Sequence, residues 1–116
     1  MLSKVLSSAT YGIDAYIVEV EVDLARGLPQ FTTVGLPEGA VKESKDRVFA
    51  AVKNAGYKFP SKRITVNLAP ADIKKEGSSF DLPIAVGILA ATAVVQSSRL
   101  KDLIILGELS LDGSLR

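Results

Sequence analysis

The segment from residue 13 to residue 24 constrains the fold of this chain more than any other segment. Carboxylates point to one face of it and valines to the other, at Glu19, Glu21 and Asp23 and at Val18, Val20 and Val22. Alternation with a period of two is typical of a β-strand that has one face in water and one face in a core. The sequence therefore predicts a sheet with a solvated face and a buried face.

The other strands are predicted from short apolar, β-branched runs that end at turn residues. Strands are expected over residues 4–11, 13–24, 31–34, 63–68 and 103–106. The last residues, from Leu109 to Leu115, are typical of a hairpin, and Asp112-Gly113 favours a type I′ turn between its arms. The chain ends at Arg116 inside this hairpin, so we expect the natural protein to continue beyond it.

Two helices complete the predicted element order. The first covers residues 38–55, where Val41, Val48 and Val52 recur at helical spacing and Phe49 widens the apolar stripe. The second begins between residues 78 and 83, ends near residue 97, and is apolar nearly all round. With helices on one face of the strands, the order predicts an α+β two-layer sandwich.

The length of 116 residues suits one domain, residues 1–116. The N-terminus lacks the long apolar run that a signal peptide has. The longest apolar run, residues 84–95, is interrupted by Gly87 and Thr92 and is too short to span a bilayer. We therefore expect a cytoplasmic protein with no membrane partner.

The amino-acid composition excludes several kinds of catalytic and metal-binding site. The chain has no cysteine and no histidine, so it lacks thiolate chemistry, the commonest general base and the commonest metal ligand. A net charge of +1, from 14 basic and 13 acidic residues, gives no general attraction for nucleic acid. Binding of nucleic acid would need a local basic patch. The acidic stripe on the second strand could hold a cation, but a solvated sheet face is the favoured interpretation, and we predict no metal site.

The loop from Gly35 to Lys42 contains scattered pieces of a phosphate-binding loop at the wrong spacing. A Walker A loop needs G-x-x-x-x-G-K-[ST] so that backbone N–H groups and a lysine wrap the phosphates. Pro37 also removes one backbone donor. The sequence favours a strand-to-helix connection, so no ATP or Mg²⁺ is expected on this segment.

The stretch from Lys74 to Asp81 is the most suggestive of a site. A polar, glycine-bearing loop leads into a helix N-terminus, where free N–H groups could hold a phosphate or orient a serine. The alternative, which the residues favour, is a capped helix start in which Ser78 and Asp81 form a capping box. On that interpretation Gly77, Ser78 and Asp81 shape the loop and take no part in chemistry.

A basic edge is predicted around the fourth strand. Its candidate nucleic-acid contacts are Lys58, Lys62, Arg63, Lys74 and Lys75. Tyr57 and Phe59 lie nearby, and basic side chains with aromatic rings can hold a single strand by charge and stacking. The alternative is an ordinary lysine-rich surface.

A series of short motifs runs along nearly the whole chain. They are Tyr11-Gly12, Gly27-Leu28-Pro29, Val34-Gly35-Leu36-Pro37, Val41-Lys42-Glu43-Ser44, Arg47-Val48, Val66-Asn67-Leu68-Ala69-Pro70-Ala71-Asp72, Lys75-Glu76-Gly77, Phe80-Asp81-Leu82-Pro83-Ile84-Ala85 and Gly107-Glu108-Leu109. Together they resemble the start of the YifB/ComM proteins, which are magnesium-chelatase-like AAA+ ATPases. The resemblance implies a domain like the proteolytic domain of Lon, with the ribosomal protein S5 domain 2-like fold.

In that family an AAA+ module follows this segment, so the resemblance implies that ATP and Mg²⁺ belong to the rest of the protein. ComM members are described as hexameric, ATP-driven DNA helicases that promote branch migration during uptake of foreign DNA. The resemblance therefore implies other subunits of a hexameric ring as partners, and DNA as a partner of the whole protein.

Lon-type domains use a serine–lysine dyad, and Ser79 falls on the position of that serine. Ser78 stands where the family has proline, and Phe80 and Asp81 replace two small residues, so Phe80 is expected to crowd the loop. The lysine would fall beyond Arg116, and a serine without a base is a weak nucleophile. We therefore expect a degenerate, non-catalytic domain. The alternatives are a serine–lysine peptidase cut before its lysine, and an S5-like module that binds RNA or protein.

Overall fold

The computed structural model describes residues 1–71, 75 and 78–116. Its elements, in chain order, are β1 Leu2–Tyr11, β2 Asp14–Ala25, β3 Gln30–Val34, α1 Glu38–Asn54, β4 Arg63–Ala69, α2 Asp81–Ala91 and a 3₁₀ helix Ser97–Asp102. The first four predicted strands and the first predicted helix are confirmed, with small differences at their ends. The predicted α+β class is confirmed as well.

The four strands form one sheet in the order β1-β2-β4-β3. β1 and β2 are an antiparallel hairpin, and Gly12 in its turn has a φ of 63°. β4 is antiparallel to β2, with Val22 opposite Val66, and parallel to β3, with Phe31 opposite Ile64. Because β3 and β4 are parallel neighbours, α1 is the crossover between them.

The two faces of β2 differ as the alternation predicts. Val18, Val20 and Val22 are fully buried in the core. On the other face, Asn67 of β4 donates a hydrogen bond of 3.0 Å to the Glu21 carboxylate, and Lys4 Nζ lies 3.5 Å from Glu19. The acidic stripe is therefore a polar sheet face with partners on the neighbouring strands.

Both helices contribute to the core on the valine face of the sheet. Val48 and Val52 of α1 and Ile84 and Ile88 of α2 are buried with the inward side chains of the strands. The structure is therefore a sheet with one helical layer. α2 lies against β1 and β2, and α1 lies against β3 and α2.

Gly87 sets the close approach of α2 to the sheet. A Cβ atom at this position would lie 2.6 Å from Val22 Cγ2, which leaves no room for a side chain. On the same side, Ser3 Oγ of β1 donates a hydrogen bond of 2.6 Å to the Gly87 carbonyl. The missing side chain thus brings the helix backbone within hydrogen-bonding reach of β1.

α2 ends well before residue 97, so its predicted length is wrong. Ala93 has a φ of 63°, which turns the chain out of the helix. Val94 N donates to the Leu89 carbonyl at 2.9 Å and Ala93 N to the Ala90 carbonyl at 3.0 Å, which is the hydrogen-bond pattern of a Schellman motif. Within residues 1–71, 75 and 78–116, no helix is long and apolar enough to cross a bilayer.

The predicted strand over residues 103–106 is reduced to one bridge. Ile104 pairs in parallel with Leu6 of β1, and Ile105 N donates a hydrogen bond of 2.8 Å to the Leu6 carbonyl. This segment therefore touches the free edge of β1 without forming a full strand.

The C-terminal hairpin exists, but its turn is not type I′. Ser110 N donates a hydrogen bond of 2.8 Å to the Ser114 carbonyl, and Gly113 N donates one of 3.0 Å to the Ser110 carbonyl. These two hydrogen bonds enclose a three-residue loop from Leu111 to Gly113. Gly113 has a φ of 95°, whereas Asp112 is not among the residues with positive φ. A type I′ turn needs positive φ at both central residues, and a three-residue loop needs it only at its last residue.

Candidate functional site

The buried carboxylate of Asp81 lies at the first residue of α2 and joins three parts of the chain. Ser44 Oγ of α1 donates to Oδ1 at 2.8 Å, and Arg47 Nε of the same helix lies 2.5 Å from Oδ2. A second guanidinium nitrogen of Arg47 lies 3.2 Å from Oδ1, and Leu109 N donates to Oδ2 at 3.2 Å. Asp81 therefore fixes α1, α2 and the C-terminal segment to one another.

The electrostatics of this pair favour the charged state of the guanidinium. The hydrogen bond to Asp81 raises the pKa of Arg47 above its already high ordinary value, while partial burial opposes that shift. The nearby Glu108 and Glu43 carboxylates raise the pKa further. Arg47 therefore stays protonated, and it cannot serve as a general base.

The predicted capping box between Ser78 and Asp81 is wrong. Phe80 occupies the N-cap position, and no side chain caps the N-terminus of α2. Ser78 contributes its carbonyl oxygen, which accepts a hydrogen bond of 3.2 Å from Asp81 N. The Asp81 oxygens are taken by α1 and by Leu109, because the ion pair with Arg47 competes better for a buried carboxylate than a local backbone contact.

The loop that resembles the Lon nucleophile loop is partly described. Ser79 is half-buried, and its carbonyl accepts a hydrogen bond of 2.7 Å from Gly107 N. The Gly107 carbonyl in turn accepts a hydrogen bond of 3.0 Å from Leu82 N, so the start of α2 is tied to the C-terminal segment. Lys74 and Gly77, which were predicted as a basic contact and a loop residue, lie outside the described residues.

Phe80 does not occupy the surface of this loop. Its side chain is 1% exposed and belongs to the core, so the expectation that it crowds the loop is wrong. The degenerate, non-catalytic role expected for Ser79 stays a prediction.

Lys75 does not belong to the predicted basic edge. Its side chain is 2% exposed, and its ammonium donates a hydrogen bond to the Pro70 carbonyl. A lysine that contacts phosphate from a protein surface must be accessible to solvent, so Lys75 is a structural residue here. The physical reason for the difference is that its long apolar stem packs inside the fold while the ammonium finds an oxygen partner.

Lys58 and Lys62, by contrast, are exposed and line a groove of about 620 Å³ between α1 and the segment before β4. We call this groove the basic aromatic groove. Its aromatic and basic lining residues are Phe31, Phe49, Tyr57 and Phe59 together with Lys45, Lys53, Lys58 and Lys62. Arg63 is exposed at the start of β4 but does not line the groove.

The rings of the groove contact one another around Phe59. The centroids of Phe59 and Phe31 are 5.8 Å apart at an interplanar angle of 29°, and those of Phe59 and Phe49 are 4.8 Å apart at 66°. Lys45 Nζ lies 5.7 Å from the Phe31 centroid, and Lys53 Nζ lies 5.0 Å from the Phe49 centroid. Cations at such distances are attracted to the ring faces.

Sequence reasoning missed half of this groove. Lys45, Phe49 and Lys53 are spaced by four residues along α1 and therefore share one helix face. Phe49 was assigned to the apolar stripe, yet its side chain is 45% exposed. The spacing of lysine and phenylalanine on one face was the signal that could have identified this surface.

Other kinds of site have less support. Among residues 1–71, 75 and 78–116 there is no group of three acidic side chains arranged to hold a metal ion. The loop between β3 and α1 is tightly packed at Gly35, where a Cβ atom would lie 2.5 Å from the Leu68 carbonyl oxygen. The glycine is therefore explained by contact with β4 and not by a bound phosphate.

Comparison with known proteins gives a consistent result. The family model for subunit ChlI of magnesium chelatase matches residues 20–116. Competence protein ComM of Haemophilus influenzae is 56% identical over 115 residues, and protein YifB of Escherichia coli is 50% identical over 115 residues. A protein of Mycobacterium tuberculosis is 45% identical over the same length. Each match covers 99% of this chain and 23% of the relative, so the chain spans less than a third of the length of these curated relatives.

Proposed function

The chain belongs to the magnesium-chelatase-like YifB/ComM family, and from that membership we propose that it is the non-catalytic N-terminal domain of a ComM-type AAA+ ATPase. The activity proposed for the whole protein is ATP-driven DNA processing, namely branch migration during natural transformation. The observation that carries this proposal is the 56% identity to a competence protein across 99% of the chain. Competence is the uptake of DNA, so the name of this relative supports DNA as the substrate.

ATP and Mg²⁺ are assigned to the rest of the protein. The loop with scattered pieces of a Walker A motif, residues 35–42, has the wrong spacing and places Pro37 at the N-cap of α1. Gly35 is packed against β4, where a Cβ atom would lie 2.5 Å from the Leu68 carbonyl oxygen. The domain is thus proposed to support the motor without binding nucleotide.

A Lon-like, S5 domain 2-like fold is part of the same proposal. The element order β1-β2-β3-α1-β4-α2 supports this part of the proposal, because the family resemblance implies a β-β-β-α-β-α core. The position that resembles the nucleophile is Ser79, and we expect its partner lysine, as the family resemblance implies, beyond Arg116. The proposed work of the domain is therefore contact between subunits of a hexameric ring in the cytoplasm, together with guidance of DNA.

The test uses the full-length protein that carries this domain. We expect its ATP hydrolysis to require Mg²⁺ and to be stimulated by branched DNA, and we expect Ser79→Ala to leave both rates unchanged. A rate of ATP hydrolysis that is the same with and without DNA would contradict the proposed role in DNA processing. Labelling of Ser79 by a serine-reactive probe, with loss of labelling in Ser79→Ala, would replace the non-catalytic assignment by the peptidase alternative.

A further inference from the structure

We propose that the basic aromatic groove binds single-stranded DNA, with bases stacked on its rings and phosphates held by its lysines. The proposal rests on the proposed function in DNA processing, and it assigns that function a place on this domain. It differs from the edge predicted from sequence, because it excludes buried Lys75 and adds two lysines and two phenylalanines from β3 and α1.

The rings provide the stacking surface. Phe49 and Tyr57 are 45% and 46% exposed, so each offers ring area to a ligand. Phe59 lies between Phe31 and Phe49 and fixes the orientation of both rings. Bases stack on such aromatic platforms with little dependence on sequence, since every base has a π-face.

The charges of the groove match a phosphate backbone. Lys45, Lys53, Lys58 and Lys62 line it, and Asp46 is its one acidic lining residue. The chain as a whole carries only +1. The positive charge is therefore concentrated at the rings, where single-stranded DNA needs it, and is balanced by acidic residues elsewhere.

The combination of rings and lysines favours single-stranded DNA over two other occupants. A duplex keeps its bases stacked inside the helix, so it cannot offer base faces to Phe49 or Tyr57. An acidic peptide would use the lysines and leave the exposed rings without a role. Of these three occupants, only a single strand uses both groups at once.

The first experiment measures binding of a fluorescein-labelled oligothymidylate of about 15 nucleotides to the 116-residue chain by fluorescence anisotropy at low salt. Phe49→Leu keeps an apolar side chain of similar size and removes the π-face. We expect it to weaken binding by about fivefold or more, which corresponds to the loss of one base–ring contact. Leu111→Ala, at an exposed apolar residue outside the groove, is the control and should bind like the parent.

The second experiment measures the dependence of binding on salt. The double variant Lys53→Gln with Lys62→Gln should lower the slope of log K against log salt by about 1.4, since each phosphate contact of a single strand contributes about 0.7. The matched control, Lys42→Gln with Lys101→Gln, removes two exposed lysines outside the groove and should keep the parental slope. Thermal melting of every variant confirms that each one is folded.

The outcomes separate this inference from the proposed function. No binding by the parent chain at low salt, or parental binding by both groove variants, would overturn the groove assignment and leave the proposed function in place. Displacement of the oligonucleotide by polyglutamate at equal charge concentration would overturn the proposal and identify an acidic peptide as the ligand of the groove. Tighter binding of an RNA of the same length would overturn it in favour of RNA. A full-length protein without DNA-stimulated ATP hydrolysis would instead remove the proposed function and leave binding by the groove standing.

Discussion

Arg47 Nε lies 2.5 Å from Asp81 Oδ2, and this ion pair joins two helices across 34 positions of the chain. The Asp81 side chain is fully buried, while that of Arg47 is 23% exposed. Ser44 Oγ and Leu109 N complete the hydrogen bonds to the carboxylate. The carboxylate therefore has a structural role, because it holds α1, α2 and the C-terminal segment together. Its position at a helix start suggests a local cap, but its hydrogen-bond partners are distant in the sequence.

We expect Asp81→Asn to destabilise the domain strongly. The amide keeps one acceptor oxygen but turns an NH₂ group toward the donors of Arg47 and Ser44, so the guanidinium loses its counter-charge. Removing one partner of a buried pair typically costs about 3–5 kcal/mol. The expected fall in melting temperature is more than about 10 °C.

The control for this substitution is Asp102→Asn, at an exposed residue of the 3₁₀ helix, which should melt within about 2 °C of the parent. Ser44→Ala removes one hydrogen bond and should cost about 1 kcal/mol. An Asp81→Asn variant that melts like the parent would show that the ion pair contributes nothing to stability.

A pH-dependent contribution is expected from Asp112. Its carboxylate accepts hydrogen bonds of 2.9 Å from Ser114 N and 2.7 Å from Ser114 Oγ, and these lower the pKa of Asp112 below its ordinary 3.8. A lowered pKa in the folded state means that the charged form favours folding. The contribution is therefore complete well above pH 3.8 and is lost as the pH falls through the lowered pKa.

The measurement compares the urea midpoints of the parent and of Asp112→Asn at neutral pH and at a pH below the lowered pKa of Asp112. The variant should be less stable at neutral pH, and the difference should shrink as the pH falls. A difference that is constant over this range would mean that the carboxylate charge is irrelevant to the hairpin.

Sequence patterns captured the parts of the fold that local residues determine. The alternation at Val18, Val20 and Val22 placed β2 and its buried face correctly, because a period of two can hardly fit another element. The end of α2 was missed because Ala93 adopts the left-handed conformation at a position where glycine is the usual signal.

The candidate site depended on contacts that no local pattern encodes. The spacing of three residues between Ser78 and Asp81 predicts a capping box. The partners of Asp81 in the structure are instead in α1 and in the C-terminal segment. Lys75 is predicted to lie at the surface, because the polar residues next to it in the sequence give no sign that its side chain is buried. Long-range packing decides both cases, and it overrides the local preference.

Close packing of α2 on the sheet gives a third prediction. A Cβ atom at Gly87 would meet Val22 Cγ2 at 2.6 Å, and it would also lie 3.6 Å from Ser3 Oγ. We expect Gly87→Ala to push α2 away from β2 and to cost about 1–3 kcal/mol, although alanine is the better helix former. The control is Gly39→Ala in the first turn of α1, where nothing lies within 4 Å, and this change should be neutral or stabilising. A Gly87→Ala variant that is as stable as the parent in urea unfolding would mean that the helix can shift without loss.

The last prediction concerns the end of α2. Ala93 holds a φ of 63°, where its Cβ atom crowds the backbone at a cost of about 1–2 kcal/mol, and glycine has no such cost. Glycine also has more freedom in the unfolded chain, which opposes the gain by about 0.4–1 kcal/mol. We therefore expect Ala93→Gly to stabilise the domain by up to about 1 kcal/mol. Ala90→Gly, in the buried and regular part of the same helix, should instead destabilise it by about 1 kcal/mol or more. Urea midpoints that move in the same direction for the two variants would show that the left-handed conformation costs Ala93 little.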